Sequence, residues 1–426
     1  MARRNNATEK KRRRNFLAHE IEQVKRMKKI FEGIKVIAVA RQVAAPLAAY
    51  QLALHGAEVI CIENPKEPDS MRYSGDLDSA LNINGLAPNF LAQGANKRSM
   101  RLNLASARGQ EIFRAMAAKA DVVIENLVAG GMAKYGLDYE SLRRTNKGLV
   151  YCSVTGFGQD GPFSKRHAID LAIQAASGLM SLTGTPQSGP LKAGFLMADA
   201  VTGYAAALGI VSALYHRSMT GEGQYVDVAM LDAAITLAAG DVCLAGSLGQ
   251  AKKLRGNGDG RHVSWVFRCK EGMLAIAASS EPRRQRLWKA IKREDIPLDP
   301  RFATPKEARR NMNLLHEEIE KTLMQKTALE WEEIISDAGV AAMAVRDMTE
   351  AVNLPQIAHR QLLHRFPPDS ELGCSVVVPK APYTFSETPA SIDSFPPRFG
   401  QHTNEILGEL GFSDQQVEEL RSKGVI

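Results

Sequence analysis

The chain has 426 residues, 45% apolar and 24% charged, the balance of a soluble globular protein too long for one ordinary core, so two domains are expected. A net charge of +7 would point to nucleic acid or an acidic membrane if it were spread over the surface. Residues 1–30 alone carry eleven Lys/Arg against three Glu, a net of +8, which leaves −1 for the rest and disfavours both partners for the folded body.

The basic stretch 1–30 reads as a solvated extension. Two alternatives stand beside that reading: an amphipathic helix on Phe16, Leu17, Ile21, Val24 and Met27, or a targeting segment, which lacks the apolar core of a secretory signal. A cytoplasmic location is the expectation. The five cysteines (Cys61, Cys152, Cys243, Cys269, Cys374) form no CxxC pair, so they read as free thiols of a reducing compartment and not as metal ligands.

KVIAVA (35–40) is the first run of strand type, and LAAYQLALHG follows as a helix closed by Gly56. EVICIEN (58–64), DVVIEN (121–126) and LVYCSV (149–154) continue the strands, with GQEIFRAMAAKA as an intervening helix. Continuous apolar strands alternating with helices predict a doubly wound α/β domain with a parallel sheet and a ligand crevice at the carboxyl ends of its strands. No GxGxxG follows the first strand, which disfavours a nicotinamide enzyme. NKRSMRLNL (96–104) places Lys97 and Arg98 between two strands, either as a solvated loop or as a cationic rim for phosphates.

In SKRHAIDLAIQAASGLMSLTG (164–184), Asp170 heads an apolar, small-residue helix. It is either an N-cap of that helix or a reactive carboxylate in a dry pocket. The run 194–215, GFLMADAVTGYAAALGIVSALY, is the most membrane-like; Asp199 and its glycines make it a buried helix. From about residue 225 the pattern turns to α+β, with a hairpin VFRCK-EG-MLAIAA. GNGDG leads into a strand where a phosphate loop needs a helix.

Together these blocks resemble the family III CoA-transferases, the group of formyl-CoA transferase, carnitine CoA-transferase and the α-methylacyl-CoA racemases. The likeness runs from about residue 32 to the C-terminus. It rests on GIKVIAVARQVAAPLAAYQLALHGAEVICIEN, NKRSMRLNL, ADVVIENLVAGGMAKYGLDYESLRRTNKGLVYCSVTGFGQDGPF, HAIDLAIQAASGLMSLTG, TGEGQYVDVAMLDA, RFATPKEARR and FGQHTNEILGELGFSDQQVEELRSKGVI.

The resemblance implies a large Rossmann-like domain built from both ends of the chain, a smaller α+β domain between them, and an interlocked homodimer. On that reading residues 31–215 and 395–426 form the large domain, 225–330 the small one, and 216–224 and 331–394 the connections. The family nucleophile falls on Asp170, which would attack an acyl-CoA thioester and pass through an aspartyl anhydride and an aspartyl-CoA thioester to a carboxylic acid acceptor. Coenzyme A enters as a substrate, with no permanently bound cofactor and no metal implied.

The family's CoA contacts carry over to Val43, Ala44, Asn96, Lys97, Arg98, Ser99 and Asn126, with Lys134 standing where the family usually has Arg. After Asn126 the family's Arg and Pro are replaced, and Lys66, Arg72 and Arg101 are candidates to compensate. A racemase on the same scaffold is the alternative, but DYESLRRTNKGLVY lacks the histidine it needs, leaving only His167. A catalytically inert CoA-binding protein is the third reading.

Overall fold

A computed structural model of the protein describes residues 29–73, 86–258, 263–368 and 372–426. They divide into two compact units. The first takes the chain through Ser177, Gly194–Ala239 and Arg360–Ile426; the second takes Gly178–Ala193 and Gly240–His359.

The first unit is built on six strands: β1 (Lys35–Val39), β2 (Glu58–Glu63), β3 (Lys97–Arg101), β4 (Val122–Glu125), β5 (Val150–Thr155) and β6 (Tyr225–Ala229). Their order is β3-β2-β1-β4-β5-β6 and every pairing is parallel. Such a sheet is covered on both faces, which is why its strands are apolar in consecutive positions and do not alternate. On one face, Ile37, Val123 and Tyr151 pack with Phe113 and Met116 of α2 (Ala107–Ala117) and with Ile406, Leu407 and Leu420 from the last two helices of the chain.

On the other face, Val36, Ala38, Ile124 and Cys152 meet the alanines of α1 (Ala44–Leu54), in which all but Leu47 is buried. α3 (Asp170–Ala176) precedes α4 (Met197–Thr220), and α5 (Met230–Thr236) follows β6. α4 joins the same face through Ala206, Ile210 and Ala213. Gly203 permits the close approach of α4 to α1, because a Cβ there would stand 2.8 Å from the Ala44 carbonyl oxygen. The expected helix is thus present, but buried on one side only, since Leu208, Tyr215 and Met219 are each about 70% exposed.

In the second unit, β7 (Ser264–Arg268) and β8 (Met273–Ala277) form the expected antiparallel hairpin, turning at Gly272 with φ +78°. β9 (Ala341–Ala344) adds to β8, and Leu287, Trp288, Ile319, Trp331 and Ile335 pack beneath the sheet.

The expected boundaries shift accordingly. Residues 216–224 are not a connection, because α4 continues to Thr220 and the chain then enters β6, whose hydrogen bonds to β5 hold residues 225–239 in the first unit. Nor are residues 331–394 one connecting segment. The helix Ala328–Asp337 and β9 belong to the second core, and the chain returns to the first unit from Arg360.

Candidate active site

The chain reverses direction across the sheet between β1 and β4, and in an open parallel sheet ligands bind outside the strand ends at that point. A cavity of about 600 Å³ lies there. It is lined by the segment after β1 (Arg41, Gln42, Ala44), the segment after β4 (Asn126–Ala129) and the run Ser164–Asp170 with Asp199.

Asn126 ties the two strand ends together: its Oδ1 accepts from the Arg41 backbone N–H at 2.9 Å and its Nδ2 donates to the Arg41 carbonyl at 2.7 Å. Glu125 braces the same turn, accepting from the Leu127 N–H at 2.8 Å and from the Ser153 hydroxyl. Burial pushes the Glu125 carboxyl up to about 7, with the charge of Asp227 adding to the effect and both hydrogen bonds opposing it.

Asp170 opens α3 but does not cap it; the N-cap is Ile169, and no side chain closes that end. The carboxylate caps a different helix. Oδ2 accepts from the backbone N–H groups of Ala198 at 2.8 Å and Asp199 at 3.1 Å, in the first turn of the 24-residue α4, whose own N-cap Leu196 supplies no side-chain acceptor. Oδ1 accepts from Gln174 Nε2, one turn along α3, at 2.5 Å. Two free N–H groups and the positive end of a long helix dipole therefore hold a carboxylate that is 6% exposed at the cavity wall. The N-cap reading of the sequence is corrected: the Asp is a cap in trans.

Of the other sequence candidates, Ala44 and Asn126 line this cavity and Val43 immediately precedes α1. The remaining five do not line it. Asn96, with φ +61°, donates to Ser391 O and accepts from Asp393 N and Ser394 N, fastening the returning chain. Ser99 Oγ donates to Glu63, which is itself paired with the fully buried Arg72.

The cationic rim expected at Lys97 and Arg98 is corrected in the same way. Both sit at the amino end of β3, away from the strand ends that border the cavity. Lys97 is buried with Nζ donating to Pro46 O at 2.8 Å, and burial pulls its ammonium below the ordinary value. Arg98 is shared among Glu58, Glu405 and Glu409. Lys134 is exposed on the turn 133–135.

The positive charges at the cavity come from elsewhere: Arg41, Lys165 and Arg166, beside His167. Lys165 Nζ donates to Ala129 O, and the Arg166 guanidinium lies 3.7 Å from the centre of the Phe163 ring. Asp199 is the other residue that sequence reasoning passed over. Its signal in the sequence is an acidic residue in an apolar run.

Residues 31–403 match the sequence description of CoA-transferase family III. The chain belongs to CoA-transferase family III. It is 34% identical over 89% of its length to the succinate–glutarate CoA-transferase of Agrobacterium fabrum, of which 95% is covered. It is 30% identical over 92% of its length to the beta subunit of the succinyl-CoA–L-malate CoA-transferase of Chloroflexus aurantiacus, with 97% covered. The crystal structure of a CaiB/BaiF family protein from Brucella suis superposes with a TM-score of 0.81 at 32% identity, over 90% of this chain and 100% of that one. Enzymes of family III act on CoA thioesters.

Proposed function

We propose that the protein moves CoA from an acyl-CoA thioester to a carboxylic acid, with Asp170 as the nucleophile. One observation carries this reading. The carboxylate is buried at the wall of the cavity beyond the strand ends, held by two backbone N–H groups of α4 and by Gln174. A carboxylate is a poor nucleophile in water, and a dry, fixed position removes solvent reorganisation from the attack.

In the first step an Asp170 oxygen bonds to the thioester carbonyl carbon and the C–S bond breaks, leaving a mixed anhydride and CoA thiolate. The thiolate then attacks the Asp170 carbonyl, releasing the donor acid and forming an aspartyl-CoA thioester. The acceptor carboxylate displaces the thiolate to make a second anhydride, and the thiolate takes the acceptor acyl group, restoring Asp170.

Backbone at Val43 and Ala44 and the turn after Asn126 would lie against CoA, with Arg41, Lys165 and Arg166 opposite its phosphates. Dicarboxylic acids are the acceptor class to test first. The Agrobacterium and Chloroflexus relatives are named for such acids. An interlocked homodimer completes the reading, supported by the exposed apolar flank of α4 at Leu208, Tyr215 and Met219.

The test is a panel of acyl-CoA donors with carboxylic acid acceptors, read by chromatography of CoA esters, together with hydroxylamine trapping. Transfer plus a hydroxamate at Asp170 is expected. Exchange of the α-proton of a 2-methylacyl-CoA in deuterated water, without transfer, would replace this reading by the racemase.

A further inference from the structure

A second carboxylate stands against Asp170 at the same cavity. Asp199 lies in the first turn of α4, and its backbone N–H is one of the two that grip Asp170 Oδ2, at 3.1 Å. Its side chain lies near enough to the Ala44 backbone N–H, at the start of α1 where Val43 offers no side-chain cap, for that N–H to favour its charged form. One residue therefore donates to the nucleophile through its backbone while holding its own charge near a second helix terminus. Two carboxylates that repel each other thus stand at two helix N-termini, Asp170 on that of α4 and Asp199 near that of α1.

We propose that Asp199 is the positioning residue that keeps Asp170 reactive: its anchored negative charge destabilises the free Asp170 carboxylate relative to the acylated one. This rests on Asp170 being the nucleophile. The charge balance gives the direction. When Asp170 attacks a thioester, its negative charge leaves with the CoA thiolate and the aspartyl anhydride is neutral, so repulsion from Asp199 is relieved on acylation and restored on release. The two N–H donors of α4 act the opposite way, favouring the carboxylate. Asp199 offsets a grip that would otherwise make Asp170 too comfortable to react.

The same geometry sets a pH dependence. Burial, and then the charge of Asp170, push the Asp199 carboxyl up to about 6, while the Ala44 N–H opposes the shift. Above that pH the repelling charge is present. As pH falls through it, Asp199 takes up a proton and the activation is lost. The other ionisable groups on the elements packed around it are Tyr50 of α1, Tyr204 of α4 with Tyr215, His216 and Arg217 at the far end of that helix, and the exposed Asp232 of α5. Arg41, Glu67, Lys165, Arg166 and His167 line the same cavity. A histidine at the cavity is the other group that could shape an acidic limb, so His167 needs its own control.

The experiment uses the full-length enzyme and the best donor–acceptor pair. Asp199→Asn retains an oxygen for the Ala44 N–H and removes the charge. It should lower kcat/KM on the order of tenfold above pH 7, because the charge that disfavours the free carboxylate is gone. It should also erase the acidic limb near pH 6 and reduce the hydroxylamine-trapped adduct at Asp170. Asp199→Glu should restore part of the rate, and His167→Gln should keep the limb.

Unchanged pH profile and adduct yield in Asp199→Asn overturn the proposal and leave Asp170 as nucleophile. No adduct in the wild type, or full activity without Asp170, instead overturns the reading on which it rests. Should Asp199→Asn fold poorly by circular dichroism, the acidic limb of His167→Gln still decides: its absence refutes the proposal.

Discussion

Replacing Asp170 separates its two jobs, because Ala removes both the nucleophile and the trans-cap of α4, whereas Asn removes only the nucleophile. In Asp170→Ala the N–H groups of Ala198 and Asp199 and the amide of Gln174 lose their shared acceptor. Loss of a helix cap costs about 1–2 kcal/mol, and relief of repulsion from Asp199 offsets a part of it. For a protein of this size each kcal/mol corresponds to about 2 °C in Tm, so a fall of a few degrees is expected. Asp170→Asn keeps an acceptor oxygen and should melt within about 1 °C of the wild type. Both variants should lose transfer by at least about 1,000-fold, since the covalent route runs through this carboxylate. The assay pairs CoA-ester chromatography with differential scanning calorimetry, and with intact mass to exclude deamidation of the Asn. Near-normal turnover by Asp170→Asn would refute the nucleophile, and an unshifted Tm in Asp170→Ala would refute the trans-cap.

Three further outcomes are expected. Glu125 has a folded pKa of about 7, above its unfolded value, so the folded state holds a proton that the unfolded state releases, and Glu125 weakens stability progressively as pH rises from about 4.5 to 7. Glu125→Gln, which mimics the protonated acid, should match the wild type in urea melts at pH 4.5 and exceed it by about 1–3 kcal/mol at pH 8; equal stabilities at pH 8 would show that burial does not penalise this carboxylate. Replacing Arg41, Lys165 and Arg166 by Ala should raise KM for acyl-CoA and flatten its salt dependence, whereas Arg98→Ala should leave both near the wild type; the reverse result would return the phosphate site to the amino end of β3. Deleting residues 1–28, which carry ten Lys/Arg and three Glu, should bring the isoelectric point from about 9.1 to near neutral on a focusing gel without changing kcat, and a loss of activity would assign that stretch a role in the folded enzyme.

Much of this protein was legible in its residues because the signals are local. Apolar strands at 35–39, 58–63, 122–125 and 150–155 declare a sheet buried on both faces, Gly56 with φ +98° ends α1, and Gly272 turns the β7–β8 hairpin. The oddity of Asp170 was also visible, since an acid at the head of an apolar helix needs partners that its neighbours do not supply. What it lacked was the identity of those partners, the N–H groups of Ala198 and Asp199, which stand 28 and 29 positions away and reach it only once α3 and α4 meet.

The same limit explains the misplaced cations. Periodicity assigns a side chain to a face of a sheet but not to a charge partner, and Arg98 finds Glu405 and Glu409 more than 300 residues later, while Asn96 fastens Ser391 and Asp393. Composition presented NKRS and SKRH as equivalent basic runs. Folding spends the first on ion pairs and buried contacts at the amino end of β3 and brings the second to the carboxyl ends of the strands, beside the carboxylate it precedes. A strand's end, unlike its face, is set by how the whole sheet is wound, and that is a property of the tertiary structure alone.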